Sequence, residues 1–135
     1  MFETKFAIVL RDDLADWQKL NVTAFLATGI AGQKPDIIGE PYRDEAGNVY
    51  NALSVQPIIV LSADGATLSD IRRRALERNI RTSLYVDDMF STGHDRANRD
   101  VFSRSGPDNG VVTGIAIHAE RKIVDKVTKG AKLHG

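Results

Sequence analysis

The chain has 135 residues, of which 42% are hydrophobic and 27% charged; this is the size and make-up of a single folded domain spanning residues 1–135, not of a disordered chain. Its 18 basic and 18 acidic residues cancel, which excludes the strong positive field of a general nucleic-acid binder. It contains no cysteine, so a disulfide framework, a zinc ribbon and a thiol nucleophile are all excluded.

The N-terminal residues lead directly into the apolar run Phe6–Leu10, which is too short for the core of a signal peptide and is followed by Arg11, Asp12 and Asp13. No stretch approaches the roughly 20 apolar residues of a membrane span. A soluble, cytoplasmic protein with no membrane segment is therefore expected. Lys5–Leu10, rich in Ile and Val, reads as a buried strand. Asp13 and Asp16 have the spacing of a capping box, which predicts a helix reaching about Ile30. On that helix Val22, Phe25, Leu26, Gly29 and Ile30 share one face, and Leu20, Ala24, Ala27 and Ala31 a second. Such a helix is expected to be buried on two sides, by its own sheet and by a loop or a second subunit.

Pro41–Arg43 and Val49–Asn51 flank the turn-forming residues Asp44–Asn48, predicting a small hairpin. Pro57–Leu61 is a second buried strand. Thr67 with Asp70 suggests the cap of a helix running to Glu77 or Arg78, with Ile71, Ala75 and Leu76 inward and Arg72, Arg73 and Arg74 mostly solvated. Asn79 suits a left-handed stop. A third strand over Ile80–Val86 precedes a polar stretch with a short helix from about His94 to Phe102, then a loop at Ser105–Gly110. Val111–His118 is a fourth strand, and a last helix runs from Glu120 to Lys129, closed by Gly130. Strands alternating with helices predict a three-layer α/β/α sandwich whose mixed sheet has about four strands, mainly parallel, with the last antiparallel to its neighbours.

In open α/β sheets functional groups gather at the carboxyl ends of strands. Arg11, Asp12 and Asp13 follow the first strand, Ser62 and Asp64 the second, and Asp87 and Asp88 the third, with His94 and Asp95 soon after. Two carboxylates held together can carry a proton near neutrality or bridge a hard cation such as magnesium; equally, an Asp after a strand can simply cap the next turn. Histidine is the residue type best suited to general base work, which makes His94 the candidate. His118, at the end of a strand, reads as structural, and His134 lies in the tail. Asn21 and Thr28, seven apart on an otherwise apolar helix, share a face. They form either a polar line under a site or two buried groups bonded to backbone. The arginines at 72, 73, 74, 78 and 81 could meet phosphates, although such a run is usually a solvated face. There is no glycine-rich phosphate loop, nucleophile elbow or HExxH motif, and no metal or cofactor is expected.

Two segments resemble a known family. Val9–Leu14, running into a helix of small residues, and Val124–Leu133 at the end of the chain resemble the opening and closing segments of type II peptidyl-tRNA hydrolases. Tyr85–Asp88 stands where that family has a strand ending in Asp-Ala-Gly. The stretch from Leu10 to Asn21, together with Phe90–Asp95, is similar to an uncharacterised family within the same superfold, a domain of unknown function numbered two thousand. The resemblance implies a peptidyl-tRNA hydrolase II-like fold and, with the apolar first helix, a homodimer. The hydrolases place a Lys and a His seven apart on the first helix; allowing one inserted residue, the matching positions are Asn21 and Thr28. Asn carries no positive charge and Thr shuttles no proton near neutrality, which argues against peptidyl-tRNA as the substrate. Asp87 matches the strand-end Asp, but Asp88-Met89 replaces Ala-Gly, and about twenty residues are inserted between Met89 and Gly110.

Two functions follow as expectations. In the first, the chain is a hydrolase of an ester or amide. Asp87, His94, Asn21 and Thr28 are catalytic, with Asp87 orienting His94 or a water and Asn21 donating to an oxyanion; Arg11, Asp12, Asp88 and Thr128 bind the substrate, a small molecule or a tRNA-like ligand. In the second, the same cleft binds a small molecule or nucleotide without breaking a bond. A dimeric interaction protein is the third and plainest reading.

Overall fold

The computed structural model describes residues 2–134. The first strand, β1 (Thr4–Arg11), lies at the centre of the sheet. Successive side chains of a strand point to opposite faces, so Phe6, Ile8 and Leu10 enter one core while Ala7 and Val9 enter the other. A strand buried on both sides reads as an unbroken apolar run, as this one does.

The remaining elements are, in chain order, α1 (Asp16–Gln33), a hairpin of β2 (Tyr42–Arg43) and β3 (Val49–Tyr50), β4 (Ile58–Ala63), α2 (Gly65–Glu77), β5 (Ser83–Val86), α3 (Asp95–Phe102), β6 (Val112–Glu120), α4 (Arg121–Val127) and β7 (Lys132–Leu133). The main sheet has five strands in the order β5-β6-β1-β4-β7. α1 covers the face carrying Phe6, Ile8 and Leu10, packing Val22, Leu26 and Ile30 against it. α2 and α4 cover the other face with Leu68, Ile71, Ala75, Val124 and Val127. At Gly114 of β6, an added Cβ would meet Val22, Leu26 and Leu10 side-chain carbons at 3.0, 3.1 and 3.2 Å. Only glycine lets α1 settle this close to the sheet.

The mixed α/β architecture agrees with expectation, and β6 is antiparallel to both of its neighbours as anticipated. Two features correct the sequence reading. The sheet has five strands, not about four: β7 pairs Leu133 with Leu61 and Lys132 with Ser62 at the edge, and a two-residue strand has no periodicity to read. Nor is the sheet mainly parallel. Only β1 and β4 pair in parallel, because β6 inserts between β1 and β5 and β7 runs back along β4.

Local corrections have equally plain causes. Ala15, not an aspartate, is the N-cap of α1, and the Gln18 side chain accepts from the Ala15 N–H at 2.9 Å. Gln18 does the work assigned to the Asp13–Asp16 pair, and Asp13 accepts instead from Arg11 Nε at 2.6 Å. Within the single chain α1 is covered on one side, and Trp17, Leu20 and Phe25 are exposed on the side expected to meet a loop or a second subunit. α2 is capped by Asp64, which accepts from the Thr67 N–H. Its buried stripe is Leu68, Ile71, Arg72 and Ala75, so Arg72 is inside and Leu76 outside, the reverse of expectation. The Arg72 stem packs along the stripe while its Nη1 donates to the Gly106 carbonyl. Asn79 is left-handed at φ 55, as anticipated. Among the described residues no helix is long and apolar enough to cross a membrane.

Candidate functional site

The segment between Met89 and Gly110, expected as an insertion, builds one wall of a cleft; α1 supplies the other. A short 3-10 turn over Asp87–Ser91 follows β5 and carries Met89 and Phe90 toward α1. α3 follows, capped by His94, whose Nδ1 accepts from the Ala97 N–H at 3.2 Å. Between these walls lies a cleft of about 260 Å³. Four aromatic residues line it in a connected chain. Trp17 meets Phe90 edge-on at 5.7 Å, Phe90 meets Tyr85 at 5.1 Å, and Tyr85 meets Phe25 at 6.0 Å between ring centroids. Tyr85 is the buried floor, and burial pushes its hydroxyl above its ordinary range, so it remains a protonated donor. Trp17 and Phe25 are 61% and 51% exposed. Large aromatic faces left open to water in a concavity mark a ligand site.

The polar rim comprises Asn21, Thr92, His94, Asp95 and Asn98. The Thr92 hydroxyl is bonded to the Met89 carbonyl and to the Asn98 side chain, which ties the 3-10 turn to α3. The Nδ1 of His94 is engaged in the helix cap, which leaves Nε2 as the ring nitrogen turned to a ligand. Asp95 accepts from Arg99 Nε at 2.6 Å in an exposed pair.

The strand-end acids occupy a different place. Asp87 Oδ1 accepts from Arg11 Nη1 at 2.8 Å and from the Thr113 hydroxyl, and Arg11 Nη1 also reaches the Val112 carbonyl at 3.1 Å. The β5–β6 register slips here: Tyr85 pairs with Gly114 but Val86 with Val112, so Thr113 is skipped and free to serve Asp87. The Asp87 carboxylate, aided by Asp13, holds the Arg11 proton more firmly, against the effect of partial burial. Asp87 and Asp88 line a smaller cavity of about 100 Å³ with Arg104, Ser105, Asn109 and Gly110. Of the expected site residues, the cleft therefore unites Asn21 and His94 but not Asp87 or Asp88. Thr28 is exposed on α1 with its hydroxyl on the Phe25 carbonyl, so neither Thr28 nor the equally exposed Asn21 is a buried group. Asp12 lies in the turn after β1 and donates its N–H to the Ala63 carbonyl. Thr128 is buried at the end of α4 and donates to the Val124 carbonyl. No group of three or more His, Asp or Glu side chains among the described residues is arranged to hold a metal ion.

Residues 4–135 match a family model described as a protein of unknown function, DUF2000. The chain belongs to the DUF2000 family. A solved structure of a protein of unknown function from Agrobacterium tumefaciens strain C58 is similar to this DUF2000 chain at 64% identity. The likeness covers 100% of both chains at a TM-score of 0.98. Comparison with curated proteins gives no match.

Sequence reasoning missed the aromatic lining of this DUF2000 protein. A signal was present: Trp17, Asn21 and Phe25 recur every four residues, a stripe along one side of a helix whose buried stripe is Val22, Leu26 and Ile30. That Tyr85 and Phe90 complete the box depends on how the chain turns after β5, which no local pattern encodes. Thr113 was missed because a bulge, not a motif, turns it toward Asp87.

Proposed function

We propose that this protein binds a small organic molecule in the cleft between α1 and the 85–98 segment, without breaking a bond in it. The observation that carries this reading is the aromatic box itself, with two side chains open to water and a rim that includes two amides and an imidazole. The catalytic arrangement first expected has less support. His94 Nδ1 is engaged in the α3 cap, and Asp87 is held by Arg11 and Thr113 outside the cleft. A metabolite library should raise the melting temperature through a small number of compounds that also change the emission of Trp17, the chain's single tryptophan. Stabilising compounds that all leave Trp17 emission untouched would show that the ligand site lies elsewhere.

A second reading, ester or amide hydrolysis, is supported by the meeting of Asn21 and His94 in one cleft, where both can donate to a developing oxyanion. It predicts turnover of an N-blocked aminoacyl-tRNA or a simpler ester, lost in Asn21→Ala; no turnover at high enzyme concentration would remove it. The peptidyl-tRNA hydrolase II-like superfold remains our reading of the ancestry, supported by the element order and the closing segment from Val124 to Leu133. A second copy of the chain is the partner inferred for the exposed apolar residues of α1, Leu20 in particular. Sedimentation should give a dimer that Leu20→Glu dissociates, and a monomeric wild type would contradict it.

A further inference from the structure

Within the binding reading above, we propose that the cleft selects an alkylammonium cation: a quaternary or methylated amine carried on a small organic molecule. Three observations combine. First, the ring planes are inclined to one another by 70° for Trp17 and Phe90, 51° for Tyr85 and Phe90, and 52° for Phe25 and Tyr85. None of these touching pairs is stacked face to face. Inclined rings instead form the walls of a box, and the negative faces of such rings attract a compact cation.

Second, the one formally charged side chain at the cleft rim is a carboxylate, Asp95. Its neighbour Arg99 lines an adjoining groove with Phe102 and Ser103, which shares Phe25, Met89, Asp95 and Asn98 with the cleft. The Asp95–Arg99 pair is exposed, with 78% and 74% of the two side chains open to solvent, so it is weakly held and the carboxylate can exchange Arg99 for a ligand cation.

Third, the cleft lacks what an anion would require. Neither lysine nor arginine lines it. The Met89 side chain adds a soft, polarizable thioether suited to N-methyl groups. The Asn21 and Asn98 amides are placed for a hydroxyl or carbonyl on the remainder of the molecule.

The test uses choline chloride and its neutral carbon isostere, in which a carbon atom replaces the nitrogen, titrated into the full-length protein and followed by amide chemical shifts. Choline is expected to shift resonances of residues 17–25 and 85–98 and to bind about tenfold or more tightly than the isostere, the span of a desolvated cation–π contact. Trp17→Phe should retain most of that preference. Trp17→Leu should abolish it, and Asp95→Asn should reduce it severalfold; both positions are exposed, so the fold persists. Equal binding of choline and isostere in the cleft would overturn the cation class and leave the cleft reading standing. No shift of cleft residues by choline would also overturn the cation class, while the library screen on Trp17 emission still decides the cleft itself.

Discussion

Arg11 and Asp87 close the top of the sheet: a 2.8 Å ion pair joins the ends of β1 and β5 across β6, which lies between them. The same guanidinium nitrogen holds the Val112 carbonyl of β6, and the Asp87 oxygen accepts from Thr113. Three strand ends are thus tied by one cation and one carboxylate. Only 13% of the Arg11 side chain is exposed, so its charge is left poorly solvated if Asp87 is removed. Asp87→Ala is expected to destabilise the fold by about 1–3 kcal/mol, read as a lower urea midpoint at unchanged slope. An unchanged midpoint would show that the pair contributes no net stability, as many exposed pairs do.

His118 makes stability depend on pH. Its Nε2 lies 3.0 Å from the Gln56 side-chain oxygen, its Nδ1 is buried without a partner, and Phe6 packs edge-on against the ring. Burial first, then the positive charge of Lys34, pushes it below the ordinary 6.5. The folded protein therefore holds this ring neutral more strongly than the unfolded chain does. The stability so contributed is complete above 6.5 and is lost as pH falls below that value toward the depressed one. Asp44 and Asp64, both lowered from 3.8 by hydrogen bonds, act in a separate and more acidic window. The urea midpoint should fall between about pH 7 and about pH 5 in the wild type and stay flatter in His118→Gln, which can still bond Gln56. Parallel curves would contradict this.

Gly114→Ala tests the seat of α1. The new methyl would press on Val22, Leu26 and Leu10 carbons at once, all of them in the core, and has no void to enter. A loss of about 1–3 kcal/mol is expected, the usual cost of overpacking. Because α1 carries Trp17, Asn21 and Phe25, its displacement should also disturb Trp17 emission. A stable variant with unaltered emission would mean that α1 has slack against β6.

The legible part of this protein was the part that repeats. The Phe6–Leu10 run, the Asn79 stop, the hairpin about Asp44–Asn48 and the short helix after His94 each carry a local pattern or a turn residue, and each has the expected form. What escaped depends on contacts between distant segments. Arg72 is buried because its nitrogen finds the Gly106 carbonyl 34 residues away, and β7 exists because β4 offers it an open edge. The site divided in the same manner. Asn21 and His94 were singled out by residue type and do share a cleft, whereas Asp87 was linked to His94 by proximity in sequence and is instead bound by Arg11 and Thr113.

The most direct test of the cleft is calorimetric titration of the strongest stabilising compound from the library screen into three variants beside the wild type. In Trp17→Ala and Asn21→Ala, both at exposed helix positions, affinity should fall about tenfold or more, while Asp87→Asn should bind as the wild type does. Unchanged affinity in the first two variants with loss in Asp87→Asn would place the ligand in the cavity beside Asp87 and Asp88 and contradict the account.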